Sequence, residues 1–182
     1  MPSVVHKVWM PGYVSPAPIY LDSSVVLGWL RKRDRLYPRA IRFVGDHLAA
    51  KADLVVSFMV LDEVMWRLAR TLMADALRVR IQDVNLTNIL KRNPQGLRPI
   101  HSNLTQAVAY VLGWAALADD KGGATAQQVV DSWLDRLQDI GGMHDAYHLA
   151  RAEHAGVKSL ATGDRDFRSV KTLPFPLQIV EL

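Results

Sequence analysis

The chain has 182 residues, a length that suits a single domain with a substantial buried core. Its 49% hydrophobic and 22% charged residues are ordinary for a folded soluble protein, and its net charge of +4 is compatible with a polyanionic partner without requiring one. Cysteine is absent, which excludes a disulfide framework, a thiol nucleophile and a cysteine-based zinc site.

The first 18 residues contain four prolines and predict an irregular N-terminal arm, held in place by Trp9 or Tyr13. This arm has no continuous apolar segment, so we expect no secretory signal. The most apolar later stretch, 107–118, is too short to cross a bilayer. We therefore expect a cytoplasmic protein without membrane contacts.

The next part of the chain predicts two strands and two helices. Residues 19–22 form a short apolar strand, and the serines that follow it can cap a helix at 25–35. Pro38 is suited to the first turn of a second helix that ends near residue 51. Residues 53–57 lack polar alternation, as expected for a strand buried on both faces.

The remainder predicts mainly helices and two final strands. Helices are expected at 61–80, from Asn103 to 118, from Thr125 to 139 and at 144–155, with strands at 158–161 and 177–181. Because helices separate the strands, the sequence predicts an α/β fold whose central sheet is parallel and covered on both faces.

Four acidic residues stand at predicted strand ends or near helix starts, namely Asp22, Glu63, Asp145 and Asp164. Each alone is explained as a helix cap, a turn residue, a partner of the helix dipole or an exposed acid. An ionised carboxylate on an otherwise apolar element is costly to desolvate, so the set as a whole favours a shared cation. In parallel sheets, ligands bind outside the carboxyl ends of the strands, where these acids would converge.

Four segments resemble, in order, the motifs of PIN-domain nucleases. They are Ile-Tyr-Leu-Asp-Ser-Ser at 19–24, Ser57 with Glu63, His-Asp-Ala-Tyr-His-Leu-Ala-Arg-Ala at 144–152, and Thr-Gly-Asp-Arg-Asp-Phe at 162–167. The VapC-like toxin ribonucleases are the branch that the chain most resembles. No motif matches within about 67–142, which is longer than the corresponding part of many compact toxins.

The resemblance implies a PIN-like three-layer α/β/α domain over 19–182, with a central, mostly parallel sheet. It also implies a Mg²⁺ or Mn²⁺ site, because these ions prefer oxygen ligands. The implied ligands are Asp22, Asp145 and Asp164, with Glu63 as a ligand or as the group that orients water. Further implied residues are Asp166 as an additional acid, and Ser23 and Thr162 as supporting hydrogen-bond partners.

The function implied by the resemblance is hydrolysis of RNA phosphodiesters by a metal-dependent endoribonuclease, the toxin of a type II toxin–antitoxin pair. An antitoxin protein and a homodimer are the partners expected besides RNA. Two alternatives stay open: an RNA processing or decay nuclease without an antitoxin, and an inactive PIN-fold module that binds RNA or protein. A phosphatase is disfavoured because Ser24 stands where its second acid is needed.

Several basic and histidine residues invite other interpretations. Arg165 and Arg168 neighbour Asp164 and are candidates for phosphate contacts, whereas the run from Arg31 to Arg35 is by default a solvated surface. His144 and His148 are four residues apart, as in a zinc motif, but that motif needs a glutamate after the first histidine. We therefore expect His148 to pack near the site.

Overall fold

The computed structural model describes residues 2–93, 95–120 and 123–182. Six strands are found there: β1 Val5–Val8, β2 Ile19–Leu21, β3 Leu54–Val56, β4 Ala116–Leu117, β5 Ser159–Thr162 and β6 Gln178–Glu181. The α-helices are α1 Ser23–Leu30, α2 Tyr37–Ala49, α3 Phe58–Leu77, α4 Leu86–Arg92, α5 His101–Leu112, α6 Ala126–Arg136 and α7 Met143–His154. None of these helices is long and apolar enough to cross a membrane.

The strands form one sheet in the order β1-β6-β5-β2-β3-β4, and every neighbouring pair is parallel. Strands β2, β3 and β5 are buried along their whole length, as expected when helices cover both faces of a sheet. The predicted α/β architecture with a central parallel sheet is therefore confirmed. Strand β2 lies between β5 and β3, so residues that follow these three strands meet at one edge.

The irregular arm predicted for 1–18 contains a strand, so that prediction was wrong for β1, which pairs with β6 at the edge of the sheet. Its pairing partner lies more than 170 residues away in sequence, with Val5 opposite Gln178. The predicted anchor is present: Trp9 is buried edge-on against Phe43, and its indole N–H donates to the carbonyl of Tyr13.

Two predicted helices end five or more residues earlier than expected, at Leu30 instead of 35 and at Leu112 instead of 118. The helix expected to reach residue 118 ends at Leu112, and the chain then forms β4 beside β3. The helix expected at 25–35 ends at Leu30, and Asp34 accepts a hydrogen bond from the backbone of Leu36 in the turn that follows. A short continuous apolar run cannot be assigned to a helix or to a buried strand from its periodicity alone, which explains the first of these errors.

The part of the chain without a matching motif builds its own small core. Residues of α3, α4 and α5 pack there around Met73, Leu86 and Leu104, separate from the main core against the sheet. Helix α3 spans both regions, because its first half packs in the main core and its second half in the smaller one. This arrangement fixes the direction of α3, which carries Glu63 to the edge where the strands end.

Candidate active site

Asp22 directly follows β2 and is the most constrained acid of the site. It is 4% exposed and caps α1, with Oδ1 accepting a hydrogen bond from the backbone N–H of Ser23 at 2.6 Å. Its Oδ2 atom accepts hydrogen bonds from the hydroxyls of Ser24 at 2.6 Å and Thr162 at 2.9 Å. These three donors hold the carboxylate in one orientation. Thr162 thus lies where a supporting role was predicted.

Glu63 lies in the second turn of α3 and contacts two histidines of α7. Its Oε1 atom is 2.7 Å from Nδ1 of His144, and its Oε2 atom is 3.5 Å from Nε2 of His148. Burial alone would raise the pKa of Glu63, but the side chains of His148 and Ser23 and the charge of His144 lower it to about 2. Glu63 is therefore ionised throughout the neutral range.

His148 is almost completely buried and points toward the two carboxylates. Its Nδ1 atom is 3.0 Å from the hydroxyl of Tyr20, which is 2.6 Å from Oγ of Ser57. Its Nε2 atom makes no well-formed hydrogen bond within the described residues and lies 3.7 Å from Oδ1 of Asp22. Burial lowers the pKa of His148, but Glu63 and Asp22 outweigh it, so the pKa is raised overall.

These side chains fit a divalent cation. One ligand atom each from Asp22, Glu63 and His148 lie within 4.8 Å of one another, and Nε2 of His148 is a buried nitrogen without a hydrogen-bond partner in the part of the chain described. Two carboxylates suit Mg²⁺ or Mn²⁺, and an imidazole is a common ligand of transition metals. The hydrogen bond from the imidazole's other nitrogen to Tyr20 is the kind that orients a ligating histidine.

Asp145 and Asp164 line the same cleft, which has a volume of about 380 Å³. Burial and the charges of Asp22 and Asp164 raise the pKa of Asp145 to about 6. Asp164 is exposed, and its Oδ1 atom accepts a hydrogen bond from the backbone N–H of Asp166 at 3.0 Å. Asp145 and Asp164 thus line the cleft, but they are not among the three residues, Asp22, Glu63 and His148, whose ligand atoms lie within 4.8 Å of one another.

A PIN domain profile matches residues 19–173 of the sequence. The chain belongs to the PIN domain family. The family predicted from the four motifs is thereby confirmed, and the match includes every acid of the cleft. No curated protein matches the chain by sequence.

Solved structures with similar folds include two bacterial proteins. VapC20 of Mycobacterium tuberculosis, described as a sarcin-ricin loop cleaving toxin, shares 16% identity, with 87% of this chain and 98% of VapC20 covered and a TM-score of 0.49. FitAcB of Neisseria gonorrhoeae shares 17% identity, with 88% of this chain and 96% of that chain covered and a TM-score of 0.50. At this level of identity the similarity concerns the fold alone.

The arginines near this PIN domain's cleft have different surroundings. Arg168, predicted to contact phosphate, is engaged with Glu181, whose Oε2 atom accepts from its Nε at 2.7 Å. Arg165 is exposed and lines a neighbouring cleft. Arg67, one helical turn beyond Glu63, lines the acidic cleft and was not predicted. Its position four residues after a site acid on a helix was the available signal.

His148 was expected to pack near the site, and it does so with its Nε2 atom directed at Asp22 and Glu63. His148 lies three residues after Asp145 on α7, and this spacing places both side chains on one face of the helix. The zinc motif with His144 is not formed in that way, because His144 contacts Glu63 instead.

Proposed function

We propose that this PIN domain is a metal-dependent endoribonuclease that hydrolyses RNA phosphodiesters and acts as the toxin of a type II toxin–antitoxin pair. The observation that carries the proposal is the convergence of Asp22, Glu63, Asp145 and Asp164 on one cleft, with a buried histidine directed at two of them. Family membership supports a nuclease, and the resemblance of the motifs to VapC-like toxins supports the biological setting.

In this proposal, Asp22, Glu63 and His148 hold Mg²⁺ or Mn²⁺, and Asp145 and Asp164 reach it directly or through water. The ion would lower the pKa of the attacking water and neutralise charge that develops on the phosphate. Asp22 is fixed by its three hydrogen bonds, and the low pKa of Glu63 keeps it ionised and able to bind the ion or orient water.

Asp145 supplies a second argument for a cation. Its pKa is raised to about 6 because burial and the neighbouring carboxylates disfavour its charge. Positive charge placed among these acids would relieve that repulsion and favour the ionised form of each. An RNA substrate, an antitoxin protein and a homodimer are the partners that belong to this proposal.

The test uses purified wild-type protein and Asp22→Asn with cellular RNA, in Mn²⁺ or Mg²⁺ and in EDTA. We expect new RNA fragments with 5′-phosphate ends only for the wild type and only with metal. Asp62→Asn is the matched control, because Asp62 is an exposed neighbour of Glu63 that does not line the cleft. Cleavage that survives Asp22→Asn, or that survives EDTA, would contradict the assignment of the site.

A further inference from the structure

A second cleft adjoins the acidic one and carries the opposite charge. It has a volume of about 360 Å³, and four arginines line it: Arg31, Arg35, Arg67 and Arg165. Ser24, Arg67 and Asp164 line both clefts, so the two form one continuous surface. We call the second one the arginine cleft.

Within the described residues, three of these arginines have no acidic partner. Arg31 lies 3.7 Å from Asp34, whereas Arg35, Arg67 and Arg165 have no carboxylate within 4.0 Å among the described residues. By contrast, Arg168 is paired with a carboxylate. Two aspartates, Asp34 and Asp164, also line the cleft, but the four guanidinium groups outnumber them and leave a net positive charge. Such a concave surface attracts an anion, and the planar fork of a guanidinium matches the oxygens of a phosphate.

The surface between the two clefts is held in place by contacts of Ser24 and Gly163. Ser24 donates from its hydroxyl to Asp22 and accepts from the backbone N–H of Gly163 at 2.8 Å, which joins the ends of β2 and β5. A methyl group of Leu36 packs against Gly163, in the space that a Cβ atom would occupy. The turn after α1, which brings Leu36 there, also places Arg31 and Arg35 in the cleft.

We propose that the arginine cleft binds the backbone phosphates of the RNA on one side of the scissile bond. This inference rests on the proposed function, since it assumes that the scissile phosphate lies in the acidic cleft. The strand then passes over Ser24 and Arg67 and places its next phosphates against Arg35 and Arg165. Part of the basic run 31–35, interpreted from sequence as a solvated surface, thus becomes a substrate contact, whereas Lys32 and Arg33 are exposed and do not line the cleft.

The test measures binding without cleavage. A short fluorescein-labelled single-stranded RNA is titrated in EDTA against wild type, Arg35→Ala, Arg67→Ala and the control Arg33→Ala over a series of KCl concentrations. We expect each cleft variant to bind about 10-fold more weakly, with the slope of log affinity against log salt reduced by about 0.7 for each lost phosphate contact. Arg33→Ala should match the wild type, and equal melting temperatures exclude misfolding as the cause.

The inference would be overturned if both cleft variants bound RNA as tightly as the wild type. It would also be overturned if Arg33→Ala lost as much RNA affinity as the cleft variants. Competition by a polyglutamate peptide as strong as that by unlabelled RNA would overturn it as well, because the cleft would then suit an acidic protein. In cleavage assays with metal, Arg35→Ala should raise KM and leave kcat nearly unchanged. RNA binding that depends on the arginines, without any cleavage, would contradict only the proposed nuclease activity. Cleavage that is unaffected by substitution of Arg35 and Arg67 would contradict only the proposed role of the arginine cleft.

Discussion

The Nε2 atom of His148 lies 3.5 Å from Oε2 of Glu63, although the two residues belong to different helices and are 85 positions apart. This contact brings α3 and α7 together at the end of β2, where Asp22 is located. In the absence of metal, both acids face the imidazole of His148 and raise its pKa. The orientation of the imidazole depends in turn on Tyr20.

The first prediction concerns the buried hydroxyl of Tyr20. Tyr20→Phe removes the group that bridges Ser57 and Nδ1 of His148, and both partners are buried. We expect the free energy of unfolding to fall by about 1–3 kcal/mol, the cost of leaving buried polar groups unpaired. Urea unfolding of the two proteins measures it. Tyr110→Phe is the control, since Tyr110 is 64% exposed and should change stability by less than about 0.5 kcal/mol. Equal stability of Tyr20→Phe and wild type would show that the bridge contributes nothing.

The second prediction compares adjacent acids on α3. Glu63→Gln should lower the rate of RNA cleavage roughly 10²–10⁴-fold, the range for a positioned catalytic group, whereas Asp62→Asn should leave it unchanged. Glu63 faces the cleft and His148, but Asp62 is exposed and outside it. Single-turnover cleavage with saturating Mn²⁺ measures both rates. Similar cleavage rates for the two variants would show that Glu63 has no catalytic role.

The third prediction concerns the pH dependence of stability without metal. The folded protein raises the pKa of Asp145 from 3.8 to about 6, so ionisation of Asp145 destabilises the fold. Between pH 3.8 and about 6 the unfolded protein loses this proton while the folded protein keeps it, so the cost is absent below pH 3.8, grows across this window and is constant above it. Asp145→Asn should therefore raise the melting temperature in EDTA at pH 7.5 and raise it much less at pH 4.5. A gain of the same size at both pH values would refute the assigned pKa.

The fourth prediction uses the glycine pair before α7. A Cβ atom on Gly142 would overlap the carboxylate of Asp145, whereas one on Gly141 would meet nothing within 4 Å. Gly142→Ala should therefore displace Asp145 and slow cleavage, by roughly 10²-fold if the carboxylate moves by about 1 Å. Gly141→Ala should keep the wild-type rate. Unchanged cleavage in Gly142→Ala would mean that the position of Asp145 is not critical.

Candidate acids could be chosen from the sequence because the residues next to them in the chain mark strand ends and helix starts. Asp22 and Ser57 each directly follow a short run of buried apolar residues, which marks the carboxyl end of a strand. Once the sheet is parallel, such ends must lie at one edge, so topology places Asp22 beside Asp164, whereas Glu63 and Asp145 depend on where α3 and α7 begin.

The parts that sequence reasoning missed depend on contacts between distant residues. Strand β4 has only two residues, and the local sign that the helix has ended before it is a single glycine, Gly113, at the C-cap of α5. The contacts of His148 depend on how α7 is rotated against α3, which is set by packing across the sheet. The role of Arg35 depends on the turn after α1, where the chain folds back beside Gly163.

The most direct test of the central claim is induction of the wild type and Asp22→Asn in cells, with growth followed and new 5′-phosphate RNA ends mapped. Asp22 is the most tightly held acid, and asparagine keeps its shape and one acceptor oxygen. We predict growth arrest and discrete new RNA ends with the wild type only. New ends without arrest would favour an RNA processing nuclease. The same RNA ends in both strains, or none in either strain while both proteins are folded and abundant, would contradict a metal-dependent ribonuclease site at Asp22.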